Sequence, residues 1–112
     1  MEISKSTVSD VTVLELKGRC EIQDFDLLSK HLTDIIELGE KKLILDFSLL
    51  HFINSAGLRA IIVAVQKMNN ASGKVVFCNV NETVEKLFGI TGYSSILERF
   101  SSIEEAVEGL HN

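Results

Sequence analysis

Apolar residues in the first and middle parts of the chain are arranged as in β-strands. β-branched residues recur from Glu2 to Val8 and from Val11 to Lys17, with a short Ser9-Asp10 break between them. This pattern predicts two antiparallel strands at a sheet edge. Two later runs, Lys42 to Phe47 and Lys74 to Val80, are almost continuously apolar. Parallel strands covered on both faces have this composition, so these runs are predicted to be central strands.

The segments between these strands follow the helical period instead. Gln23 to Leu38 places its apolar residues on one face, and Gly39 is well placed to end the helix. A second helix is predicted before the Ser72-Gly73 pair by one apolar stripe, which comprises Leu58, Ile61, Ile62, Val65 and Met68. Strand, helix and strand should then form a right-handed crossover.

The C-terminal part of the chain predicts two more helices and one strand. Asn81 suits the cap of a third helix, which Gly89 or Gly92 would end. Ile96 to Phe100 is predicted to be a short strand. The stretch Ser101 to Glu105 contains two overlapping Ser-x-x-Glu capping patterns, and these predict a terminal helix.

Together these elements predict a single α/β domain over residues 1–112. Its sheet should be small, mixed and mostly parallel, with four to five strands packed against about four helices. The composition agrees, because 46% of the residues are hydrophobic and 24% are charged, as in globular domains. A chain of this length can bury a core without disulfides or metals.

Charge and hydropathy disfavour nucleic acids and membranes as partners. The net charge of −5 provides no clustered excess of Lys and Arg to neutralise phosphates. The longest apolar run, Ala60 to Val65, is far shorter than the roughly 20 residues of a membrane-spanning helix. Glu2, Lys5 and Asp10 interrupt any apolar stretch of a signal peptide. A cytoplasmic protein without membrane insertion is therefore predicted.

The two cysteines carry no recognisable chemistry in the sequence. Cys20 and Cys78 lie at no metal-ligand spacing and in no Cys-x-x-Cys motif. We interpret both as small, buried side chains. Neither a metal nor another cofactor is predicted.

The most informative stretch is Asn54-Ser55-Ala56-Gly57-Leu58, where an apolar strand leads into a helix. A helix start presents free backbone N–H groups and the positive end of the helix dipole. A phosphate added to the hydroxyl of Ser55 would be stabilised there, so the segment is a candidate phosphorylation switch. The alternative is that Ser55 only caps the helix, since Ser is favoured at that position in any helix.

Catalytic chemistry is poorly supported, and no enzyme is predicted. A nucleophilic Ser55 would need a base, and the candidates are His31 within the first helix, His51 in a predicted loop and His111 at the C-terminus. The sequence around Ser55 also lacks the Gly-x-Ser-x-Gly pattern of a nucleophile elbow. Asp46 lacks the acidic partners that a phospho-receiver needs to bind magnesium.

Several motifs and the order of the elements resemble the STAS domain, and more narrowly the stand-alone anti-sigma factor antagonists of bacteria. The motifs are Leu45-Asp46-Phe47-Ser48, Phe52-Ile53-Asn54-Ser55-Ala56-Gly57-Leu58 and Val84-Glu85-Lys86-Leu87-Phe88. The resemblance implies a partner switch in which an anti-sigma factor, itself a serine kinase, phosphorylates the residue that matches Ser55. A phosphatase restores the unmodified form, which binds the anti-sigma factor and frees the sigma factor.

The resemblance also implies which residues contact the partner. Asn54, Ser55, Gly57, Leu58 and Arg59 would form a docking surface. Glu21 matches an acidic residue in the loop after the second strand, with a solvated loop carboxylate as the alternative. Three positions depart from the family pattern: Asn54 replaces an acidic residue, Arg59 replaces a small one, and Arg19 lies in the loop of Glu21. Arg59 lies four residues after Ser55 and could pair with a phosphate along the helix, with a solvated helix face as the favoured alternative.

A second hypothesis needs no phosphorylation. The same strand-to-helix surface would then be a constitutive interface of a STAS subunit in a lipid-transport or stress-signalling assembly. The two hypotheses differ in whether Ser55 carries phosphate in the host.

Overall fold

The computed structural model describes residues 1–111, which form five β-strands and four α-helices. The strands are β1 (Glu2–Val8), β2 (Val11–Cys20), β3 (Lys42–Ile53), β4 (Lys74–Cys78) and β5 (Arg99–Phe100). The helices are α1 (Phe25–Glu37), α2 (Ser55–Asn70), α3 (Glu82–Thr91) and α4 (Ile103–His111). Short 3-10 turns at Ile22–Asp24 and Ser94–Ile96 precede α1 and β5.

The strands form one sheet in the order β1-β2-β3-β4-β5. β1 pairs antiparallel with β2, and every other neighbouring pair is parallel. The predicted α/β fold with a small, mostly parallel mixed sheet is confirmed. Each parallel connection passes through one helix, as strands that run in the same direction require.

The helices divide unequally between the two faces of the sheet. α1, α2 and α3 cover one face, where Phe47, Phe77 and Phe88 pack edge to face with ring centroids 5.3 to 6.4 Å apart. α4 covers the other face with Ala106 and Leu110. Because Phe88 belongs to α3, the aromatic cluster attaches that helix to β3 and β4. No helix within residues 1–111 is both long and apolar enough to cross a membrane.

The clearest difference from the predicted elements is the length of β3. The sequence predicts its end at Phe47, whereas the strand continues to Ile53 and pairs with the end of β2. Beyond Phe47 the burial is no longer continuous: Ser48, Leu49 and His51 are exposed, whereas Leu50 and Ile53 are buried. A strand with one solvated face does not produce a continuous apolar run. The extension carries the end of β3 to the start of α2.

Smaller differences concern the ends of other elements. α1 begins at Phe25 rather than Gln23, because a 3-10 turn precedes it. β4 ends at Cys78, two residues before the predicted Val80, and β5 contains only Arg99 and Phe100. α3 ends where Gly92 adopts a φ of 79°, a conformation that favours glycine.

Candidate functional site

Asn54, and not Ser55, caps α2. The Asn54 side chain accepts the Gly57 amide N–H at 2.8 Å, and the Asn54 carbonyl accepts the Leu58 amide N–H at 3.0 Å. The interpretation of Ser55 as the cap is therefore wrong by one residue. Asn and Asp are equally good caps, since both offer a side-chain oxygen to the orphan amides. Asn54 can therefore cap the helix as well as the acidic residue of the family pattern would.

Ser55 is the first residue within α2, and it is exposed. None of the side-chain hydrogen bonds among residues 1–111 uses its hydroxyl. The first turn of α2 contains no acidic residue, whereas the first turn of α3 contains Glu82 and Glu85. The positive end of the α2 dipole therefore lacks a nearby carboxylate from its own helix.

Gly57 is buried beneath this first turn, on the side of α2 that packs against the chain's own core. A Cβ at Gly57 would lie 2.7 Å from the Cys20 Sγ and 3.1 Å from the Ile53 Cγ1. Glycine is thus required by the chain's own packing. Leu58 is also buried, with 1% of its surface exposed, and its side chain belongs to the core.

The end of β2 lies beside the start of α2. The Asn54 amide N–H donates to the Cys20 carbonyl at 3.1 Å, so the next residue, Glu21, neighbours the α2 start. The Glu21 carboxylate accepts from Arg19 at 3.5 Å and from Gln23 at 3.4 Å. The Arg19 guanidinium also lies 4.4 Å from the centre of the Phe52 ring. The Glu21 carboxylate is therefore engaged by two neighbouring side chains, and the Arg19 cation offsets part of its negative charge.

Asp24 fixes the turn that follows Glu21. Its carboxylate accepts the Glu21 amide N–H at 2.9 Å, and the N-terminal amine lies 3.4 Å away. The pKa of Asp24 lies below its ordinary value. The main cause is the backbone hydrogen bond from Glu21, and the N-terminal amine contributes. The ion pair ties the chain start to the loop that carries Glu21.

Within residues 1–111, three apolar grooves border α2. The groove between α2 and α3 has a volume of about 560 Å³, and the groove between α3 and the end of β3 about 500 Å³. Ser55, Leu87 and Ile90 line both. A third groove of about 210 Å³ lies between α1 and α2, and Arg59 lines it as well as the α2–α3 groove. Ser55 thus lies on a ridge that separates two apolar depressions.

α3 contributes to this surface, and the sequence pattern did not predict that contribution. Ile90 is 80% exposed and Tyr93 is 45% exposed. The sequence did contain a signal of this surface, because Ile90 lies outside the inward stripe formed by Val84, Leu87 and Phe88. A large apolar residue on the outer side of an amphipathic helix indicates an interaction surface when others lie near it.

The three histidines lie on three different elements, α1, β3 and α4. His51 lies on an exposed part of β3 rather than in the predicted loop, and His31 lies on α1. The Nε2 of His111 lies 3.1 Å from the Ser9 carbonyl oxygen, at the β1–β2 turn. No cluster of three or more metal-ligating side chains occurs within residues 1–111.

The buried polar groups have structural roles. Asp46 accepts from the Ser48 amide N–H at 3.0 Å and from the Asn79 side-chain amide at 3.1 Å. Burial, with the Asp46 charge adding to it, raises the pKa of the Cys78 thiol to about 12. Burial is also the main cause of a raised pKa of Cys20, with Asp24 contributing. Both cysteines are buried and unpaired, so the interpretation of them as small core residues is confirmed.

Comparisons with known proteins identify the fold family. The STAS domain profile matches residues 2–106. The chain therefore belongs to the STAS domain family, as its motifs indicated.

Similar proteins of this family bear a common name. BtrV of Bordetella bronchiseptica, which bears the name of an anti-sigma factor antagonist, is 26% identical over 95% of this chain and 91% of its own length. The crystal structure of a Thermotoga maritima protein with the same name has a TM-score of 0.91, with 24% identity over 98% of this chain and 95% of that one.

A second similar structure is that of a phosphorylated protein. The Bacillus cell fate determinant SpoIIAA in its phosphorylated form has a TM-score of 0.76 and 19% identity, over 96% of this chain and 97% of that one. At this identity the likeness concerns the fold.

Proposed function

We propose that this protein is an anti-sigma factor antagonist that works by phosphorylation-controlled partner switching. In its unmodified form it binds an anti-sigma factor that is also a serine kinase. Phosphorylation of Ser55 by that kinase releases the complex, and a phosphatase restores the binding form. The names of the similar proteins support the class of partner.

The observation that carries this proposal is the position of Ser55. Its side chain is exposed at the start of α2, on the ridge between the α2–α3 groove and the groove beside β3. A phosphate there adds about −1.5 to −2 charges at neutral pH. Within a desolvated contact, such a charge disrupts binding even when the fold does not change.

The arrangement of the first turn of α2 further supports a phosphate at Ser55. Backbone amides and the helix dipole favour an anion there, and no carboxylate of that turn opposes it. Because Asn54 retains the cap without a negative charge, the phosphate would meet no like charge from the preceding residue. We therefore expect phosphorylation to change affinity for the partner far more than it changes stability.

The test compares Ser55→Ala and Ser55→Asp for binding to the purified anti-sigma kinase encoded by the same host. Ser55→Ala should bind like the wild type and resist phosphorylation, and Ser55→Asp should bind at least about tenfold more weakly. Ser6→Asp, which adds the same charge on the exposed edge strand β1, is the matched control and should bind normally.

Two results would remove the proposal. Equal affinity of Ser55→Ala and Ser55→Asp would show that charge at this position does not control binding. An intact mass without phosphate, for protein isolated from its host during both active and inactive phases of the kinase, would instead support the constitutive interface.

A further inference from the structure

The α2–α3 groove exposes large apolar side chains that the core does not use. Ile90 is 80% exposed, Tyr93 45% and Val63 41%, and all three line this groove. Leu87 lines its wall on α3 and continues into the groove beside β3. A groove between two helices with apolar walls fits an amphipathic segment of another protein.

The charge around these grooves is opposite to that of the chain. The sequence contains 16 acidic and 11 basic residues. Among the described residues that line the three grooves, however, the charged ones are all cations: Arg59, Lys67 and Lys86. A basic rim on an acidic protein selects a partner surface that carries carboxylates.

Of these three cations, Arg59 is the one most available for pairing with a partner. It is exposed on α2, lines two of the grooves, and forms no ion pair with any residue from 1 to 111. Lys86 has an exposed contact with Glu82 at 3.8 Å, which is long for an ion pair and of little energetic weight. The Glu85 carboxylate is engaged by Arg99 at 2.7 Å and does not offset Arg59.

We propose that the partner segment seated in the α2–α3 groove is acidic and amphipathic. Its apolar side chains contact Val63, Leu87 and Ile90, and one of its carboxylates pairs with Arg59. This inference rests on the proposed function, because it specifies the chemistry of the same partner at the same surface. The bidentate geometry of a guanidinium makes Arg the cation best suited to such a carboxylate.

The same arrangement gives phosphorylation a second route to release. Ser55 and Arg59 are four residues apart on α2, a spacing that brings side chains together on one helix face. A phosphate on Ser55 competes with the partner carboxylate for the Arg59 guanidinium. Release then follows from the loss of an attractive contact as well as from repulsion.

The test is a charge-reversal series measured by calorimetry against the purified anti-sigma kinase. Arg59→Glu should weaken binding by about tenfold or more, and Lys67→Glu and Lys86→Glu by less, because each places like charges together. Lys17→Glu is the matched control: it reverses an exposed cation of β2 that lines none of the three grooves, and it should leave affinity unchanged. Thermal unfolding of each variant establishes that it is folded.

A second readout separates charge pairing from packing. Added salt should weaken binding of the wild type more than binding of Arg59→Gln, because the neutral variant has already lost the screened contact. Unchanged or tighter binding by Arg59→Glu, or equal salt dependence of the two proteins, would overturn the acidic segment.

The remaining outcomes assign the groove to another occupant or distinguish this proposal from the previous one. A wild-type dimer that Arg59→Glu dissociates would give the groove to a second copy, and binding to phosphatidylglycerol vesicles that Arg59→Glu abolishes would give it to an anionic lipid. Either would overturn the proposal.

The two proposals can also fail separately. If Arg59→Glu weakens the complex and Ser55→Asp does not, the acidic contact stands and the phosphorylation switch fails. The reverse result removes only the acidic contact.

Discussion

Asn54 and Asn81 begin two neighbouring helices in nearly the same geometry. Their φ and ψ angles are −85° and 172° before α2, and −80° and 168° before α3. Each side chain accepts the amide N–H three residues later, at 2.8 Å for Asn54 and 2.9 Å for Asn81. After the cap the helices differ, since α3 has two carboxylates in its first turn and α2 has none.

The two starts are also held in place differently. The Asn81 side chain donates to the Leu50 carbonyl at 3.2 Å, so it fastens α3 to β3 as well as capping it. The start of α2 is held on its core-facing side. There the Asn54 amide N–H donates to the Cys20 carbonyl, and Gly57 packs closely against the same residue. This attachment leaves the outer side of the α2 start free, and Ser55 occupies it. Similar caps thus support a structural joint in one case and a candidate switch in the other.

The largest expected effect tests the packing of the α2 start against Cys20. Gly57→Ala should destabilise the fold by about 1 to 3 kcal/mol, the usual cost of overpacking a core, because its Cβ collides with the Cys20 thiol. Gly89→Ala in α3 is the matched control, since nothing lies within 4 Å of its added Cβ. That variant should gain about 0.5 to 1 kcal/mol from the helix preference of Ala over Gly. Urea unfolding measures both.

A double variant identifies the colliding atom. Cys20→Ala added to Gly57→Ala removes the Sγ and should recover part of the loss, while the Ile53 side chain remains close. If Gly57→Ala is as stable as the wild type, the α2 start is not fixed by this contact.

These contacts also show what the sequence could predict. The stripe of α2, from Leu58 to Met68, follows from periodicity alone, and all five of its predicted residues are buried. The choice between Asn54 and Ser55 as the cap does not follow, because both residue types are good caps and they are adjacent. The contact between Gly57 and Cys20 depends on residues that are 37 positions apart, which no local pattern reveals.

The surface around Ser55 was predictable only in part. The motif that contains Ser55 indicated the centre of the site, but not the three grooves, since these depend on how α1 and α3 pack against α2. The extension of β3 to Ile53 depends on pairing with the end of β2, and its residues show no continuous apolar run. Non-local pairing of this kind is invisible to periodicity.

The next largest effect compares the two caps directly. Asn54→Ala and Asn81→Ala should each cost about 1 kcal/mol for the lost cap. Asn81→Ala should lose about 0.5 to 1.5 kcal/mol more, because the Leu50 carbonyl also loses its donor. Replacing either residue by Asp keeps an acceptor for the cap, but only Asn81→Asp loses the bond to Leu50. Equal losses for the two Ala variants, measured by urea unfolding, would contradict the structural role assigned to Asn81.

The smallest effect concerns the charge of the two first turns. Ser55→Asp places a carboxylate at the uncompensated start of α2 and should stabilise the fold by about 0.3 to 1 kcal/mol at low salt. Glu82→Gln removes a carboxylate from the start of α3 and should destabilise by a similar amount. Thermal unfolding at low and high salt measures both changes, and screening should reduce both.

A destabilised Ser55→Asp would mean that α2 does not favour an anion at its start, and it would remove one support for phosphorylation there. A stabilised Ser55→Asp that no longer binds the kinase has a sharper meaning. The loss of affinity could not then arise from a damaged fold, because the variant would be more stable than the wild type. The added charge itself would be the cause of release, as the difference between the α2 and α3 starts predicts.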